Sequence, residues 1–171
     1  MVSDDKSLPV WPYHATFVVS HHVISLGERS RSGYVSTFEV AIDQHPIGKI
    51  SLVSTYFPSL GFGPRRVVVW GNTDLYAIDY DAYALTAFPQ NDAVIAAYPI
   101  GHLWCLVREL SVVIADLDRQ HIDEVFDHDE IIIASWWESD RLYVEDLQHR
   151  RFAFELSDAG PPLKQVDTGA E

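Results

Sequence analysis

Val67-Val68-Val69-Trp70, Val94-Ile95-Ala96-Ala97 and Ile131-Ile132-Ile133-Ala134 open three copies of one pattern, and their reading decides the fold. In each copy a turn-like segment follows, then a leucine next to a ring: Leu75-Tyr76, Leu103-Trp104 and Leu142-Tyr143. A further apolar run closes each copy, at Tyr83 to Phe88, Val112 to Leu117 and Phe152 to Leu156. Runs this short, rich in Val, Ile, Tyr and Phe and broken by Gly, Asn, Asp and Pro, read as strands. The three copies, 67–88, 94–117 and 131–156, therefore predict antiparallel meanders.

Working outward, Phe17–Ser20 and Val23–Leu26 predict two N-terminal strands, and Tyr34–Ile42 and Ile47–Phe57 two longer ones around the turn Asp43-Gln44-His45-Pro46. Gly27–Gly33 and Ser59–Pro64 read as loops. The segment Arg119–Phe126 fits either one turn of helix or an extra strand in the second copy. The expected fold class is all-β: an antiparallel meander with three irregular strand repeats plus N-terminal strands, packed as a sandwich, an open barrel or propeller-like sheets. A length of 171 residues fits a single domain over 1–171. Residues 1–12 read as an extended lead-in, docked by Trp11, and 157–171 as a loose tail.

Charge is uneven. Residues 1–66 carry six basic against five acidic side chains, and residues 67–171 six against twenty, within a net charge of −13. An acidic half of this size repels phosphate backbones and argues against nucleic acid as a partner. It suits a basic protein partner drawn in by electrostatic steering. No apolar run reaches the roughly 18 residues of a membrane span, so no membrane partner is expected. The N-terminal residues lack a signal-peptide pattern, and Cys105, the single cysteine, permits no intrachain disulfide, so a reducing cytoplasm is the expected address.

Residues 116–130 hold seven carboxylates and two imidazoles. His121, Asp123, His128 and Glu130 are the candidate ligands there for a divalent metal, and on them rests the alternative of a small metal-dependent hydrolase. An EF-hand reading fails, because His121 takes the glycine position and Asp127 the twelfth. Solvated turns flanking one strand are the plainer account of the same residues. His21-His22 is a second candidate, with one ring expected inside and one outside. Cys105 and His102 fall on opposite strand faces, so the thiol reads as core. Phosphate-cradling glycine loops and a Gly-x-Ser-x-Gly elbow are missing, and no cofactor is called for.

Trp136-Trp137-Glu138-Ser139-Asp140 is the most informative aromatic feature. Strand alternation sends adjacent Trp side chains to opposite faces, so one belongs at a surface, an interface or a cleft. Trp136, Trp137, Glu138 and Asp140 are the candidate ligand-binding residues, in a combination that also suits carbohydrate or another small ligand. The functional expectation is a binding or interaction module without a recognisable catalytic site, acidic enough to mask a basic partner. Unpaired strand edges predict self-association into a homo-oligomer.

Overall fold

The computed structural model describes residues 12–53, 57–157 and 162–166, which form sixteen strands and no helix. They make four antiparallel four-stranded sheets, each a simple meander in chain order. The first sheet holds β1 (His14–Val19), β2 (His22–Ser32), β3 (Val35–Ile42) and β4 (His45–Val53). The second holds β5 (Ser59–Phe62), β6 (Arg66–Gly71), β7 (Asp74–Asp79) and β8 (Ala84–Ala87). The third holds β9 (Val94–Ile100), β10 (Leu103–Arg108), β11 (Ser111–Asp116) and β12 (His121–Asp127). The fourth holds β13 (Ile132–Glu138), β14 (Arg141–Asp146), β15 (Arg151–Leu156) and β16 (Leu163–Val166).

The sheets stack in sequence order around three apolar cores. Ile24, Leu26, Phe38 and Val40 of the first sheet meet Val67, Val69 and Ile78 of the second. Val68, Trp70 and Leu75 on the opposite face of that second sheet meet Trp104, Leu106 and Val113 of the third. Cys105, Val107 and Ile114 then meet Leu142, Val144 and Phe154 of the fourth. Continuous runs such as Val67–Trp70 and Trp104–Val107 are apolar at every position because their sheets are covered on both faces. The two terminal sheets alternate instead, as β14 does, since only one of their faces is covered by a core.

The meanders stand where the repeats predict them, and the anchors Leu75 and Leu142 are buried, with Leu103 half-buried against the third core. The strand partition differs at three places. Gly27–Ser32, read as a loop, belongs to β2, because that end of the first sheet faces water and accepts polar side chains. Its turn shrinks to the Gly33-Tyr34 pair, with Gly33 at φ 60°. Ser59–Phe62, also read as a loop, is β5. Its glycine serves a close approach, for a Cβ on Gly61 would lie 3.0 Å from both the Ala97 carbonyl and the Trp104 ring. Of the two readings of Arg119–Phe126 the extra strand holds, as His121–Asp127. Leu163–Val166, inside the stretch read as a tail, pairs with β15, and Leu163 is 1% exposed in the third core. The predicted role of Trp11 lies outside the described residues.

Three sheets close a turn with the same device. Asp79 accepts the Ala82 amide, Asp116 those of Asp118 and Arg119, and Asp146 those of Gln148 and Arg150. Aspartate after a strand is suited to this, because its short carboxylate reaches the next amides before the chain reverses.

Candidate functional site

β13 and β14 together send side chains two ways. Trp137 pairs across the ladder with Leu142 and faces the third sheet, where its ring meets Tyr98 edge-on at 6.0 Å. Trp136 pairs with Tyr143 and faces outward, on the side that no core covers. Its indole stacks on the Tyr143 ring at 5.6 Å and 12°, and the Arg151 guanidinium lies over it at 5.6 Å. Such a rigid aromatic pair capped by a cation offers flat apolar area at small entropic cost.

This stack borders an open hollow of about 1210 Å³, whose walls include Trp136, Glu138, Asp140, Tyr143, His149 and Arg151. Of the residues proposed from sequence, Trp136, Glu138 and Asp140 thus share one wall system, while Trp137 is half-buried against the core between the third and fourth sheets. Two carboxylates here are satisfied: Glu155 by Arg141 (Nε to Oε1, 2.7 Å) and Glu145 by Arg151 and His149 (2.9 and 2.8 Å). Bonds from His149 and Arg151 hold the Glu145 carboxyl below the usual range. Glu138 and Asp140 form no ion pair or hydrogen bond to any described residue, so their charge is available to a partner. Sequence reading missed Tyr143 and Arg151. Cross-strand register would have supplied Tyr143, but register is not visible before the turn at Ser139-Asp140 is placed.

The four proposed metal ligands are not brought together. His121 and His128 flank the seven-residue β12, roughly 20 Å apart at about 3.3 Å per residue. His121 bonds Asp123 (2.9 Å) on an exposed face. His128 stacks on Phe126 at 5.2 Å and bonds the fully buried Asp146 (3.0 Å), and Glu130 accepts from Gln148 (3.0 Å). Among the described residues no group of three or more His, Cys, Asp or Glu is arranged to hold a metal ion. A strand separates the two imidazoles, and each has a carboxylate partner.

His21 lies exposed in the Ser20-His21 turn, while His22 opens β2 and is buried. His22 Nδ1 lies 2.7 Å from Asp43 Oδ2, which also accepts from the Tyr83 hydroxyl at 2.6 Å, and His22 Nε2 is 3.5 Å from Asp81. Bonds from Tyr83, the Val23 amide and His22 hold the Asp43 carboxyl far below its ordinary value. This cluster joins the first two sheets through residues some 40 positions apart, so no local motif announces it. Cys105 is fully buried and its thiol is pushed up to about 12 by that burial, leaving it protonated and inert.

No protein-family model and no curated protein matches the chain. Among solved structures, the chain is similar to BamB from Moraxella catarrhalis, with a TM-score of 0.55 and 13% identity over 82% of this chain and 42% of that one. A likeness to HIRA(644–1017) has a TM-score of 0.46 and 9% identity over 83% of this chain and 49% of that one. The chain spans less than half the length of either structure. The four sheets described above are an all-β, propeller-like arrangement in which β5 lies along β9 and β9 along β13.

Proposed function

We propose that this protein is a binding module that takes a basic segment of a protein partner on the uncovered face of its fourth sheet. One observation carries the reading: the Trp136–Tyr143 stack stands on that face beside Glu138 and Asp140, two carboxylates without partners. An aromatic platform next to uncompensated negative charge is complementary to a lysine or arginine side chain. The excess of acid in residues 67–171 adds long-range attraction for the same kind of partner. A fluorescent lysine-rich peptide tests it. Binding should be present at low salt, weaken as salt rises, and fall in Trp136→Ala and in the Glu138→Gln, Asp140→Asn double variant. An absence of binding at low salt, or affinities unchanged by these substitutions, rejects the proposal.

Self-association is the second reading, and the first sheet favours it. Val18, Val23, Val35 and Val53 stand on its solvent face with 70%, 40%, 42% and 37% of their surface exposed. The β-branched side chains stand in two cross-strand pairs, Val18 opposite Val23 at one end of the sheet and Val35 opposite Val53 at the other, and each is a small apolar patch that a second sheet can cover. A second copy of the chain would supply that sheet without any further partner.

A further inference from the structure

Between the second and third sheets lies a separate cavity of about 250 Å³, on the order of eight water volumes at ~30 Å³ each. The β5–β6 turn (Gly63, Pro64, Arg65), the β9–β10 turn (Gly101, His102), Arg66, Trp104 and Asp118 line it. The walls are fixed. Tyr80 donates its hydroxyl to the Pro64 and Gly63 carbonyls, and the Gly63 amide bonds the Arg66 carbonyl at 2.9 Å. Gly63 is required by this packing, since a Cβ there would come within 2.8 Å of the Trp104 ring.

The polar groups around this space fall into two sets. Arg66 and Asp118 bond each other, and Arg66 also reaches Asp79 at 3.3 Å, so neither is available. What remains is made of donors. Arg65 is largely exposed, with its nearest counter-ion, Asp79, as far as 3.9 Å away. His102 makes no hydrogen bond or ion pair with any described residue. Trp104 is only 3% exposed, yet its indole N–H has no acceptor among the described residues. The bond from Arg66, with the charges of Arg66, Arg65 and His102, lowers the pKa of Asp118, as a locally positive environment should.

A small space lined by the Trp104 indole, with the Arg65 guanidinium and the His102 imidazole beside it, matches an acceptor-only head on an apolar ring. We infer that this cavity is a binding site for a small aromatic carboxylate. The ring lies against Trp104 and the carboxylate accepts from Arg65, with His102 at the rim. This site is independent of the fourth-sheet face.

The test is a titration with benzoate, followed by calorimetry and by the indole N–H resonances of the five tryptophans. Benzamide serves as the uncharged isostere and acetate as the head without a ring. Benzoate should bind saturably and move a single indole resonance, the one that Trp104→Phe removes. Arg65→Ala should weaken binding by about tenfold or more, as loss of a charge-assisted hydrogen bond does. Benzamide and acetate should bind more weakly than benzoate. Should Trp104→Phe fail to fold, Arg65→Ala and His102→Ala alter only exposed side chains and still decide the matter. The proposal is overturned if millimolar benzoate moves no indole resonance, if Arg65→Ala binds benzoate as the parent does, or if either control binds as well as benzoate.

Discussion

Asp146 shows how much one side chain holds. It is fully buried and accepts from the Gln148 and Arg150 amides, from Arg150 Nε at 2.6 Å and from His128 Nε2 at 3.0 Å. Burial pushes its pKa up, but these donors outweigh that and hold the carboxyl far below its ordinary value. A carboxyl whose pKa is depressed on folding stabilises the protein fully above its unfolded value, about 3.9. That stabilisation is lost as pH falls through the lower, folded value. The same sign holds for Asp43. Asp146→Asn is therefore expected to lower the Tm at neutral pH and to flatten the loss of stability in acid, whereas Asp140→Asn at the exposed turn leaves both near the parent values. Thermal unfolding followed across the acid range checks this. Little of it could be read beforehand. Asp146 looked like one of many acids, because the partners that distinguish it arrive from β12 and from the following turn.

The strands are where the sequence spoke most plainly, and its errors there have a common cause. Polarity suggests a loop at Gly27–Ser32, although a strand with one wet face is entitled to Arg and Ser. Glycine suggests a turn at Gly61, although the residue lacks a side chain so that β5 can press against β9 and the Trp104 ring. Both depend on what lies across from the residue, which a one-dimensional pattern does not contain. The Trp136-Trp137 pair succeeded for the opposite reason, since alternation is a local rule. Gly61→Ala is expected to destabilise the fold by about 1–3 kcal/mol, as overpacking a rigid contact does. Denaturant unfolding measures it, and Gly101→Ala provides a contrast: no heavy atom lies within 4 Å of its missing Cβ, and only its φ of 59° opposes the change.

At the scale of the whole molecule, the stack has two inner sheets covered twice and two outer sheets covered once. The meander and the strand-rich class follow from the short apolar runs, but the fourth strands of the second and last sheets are β5 and β16, whose four residues each fall below the length at which periodicity is informative. If the first sheet's solvent face pairs with a second copy, a Val18→Lys, Val23→Lys variant should convert an oligomer to a monomer in a solution mass measurement, and a parent protein already monomeric at micromolar concentration would rule out that pairing. The doubly covered sheets have a subtler outcome. In β6, β10 and β11 nearly every position is apolar and buried, so sliding one of these strands by a residue exchanges one greasy face for another and forfeits little burial. Greasiness there cannot choose a ladder partner. The choice falls to the hairpin ends, where Asp79 and Asp116 grip particular amides, and a misplaced carboxylate at either corner would leave the chain's middle well buried but wrongly threaded.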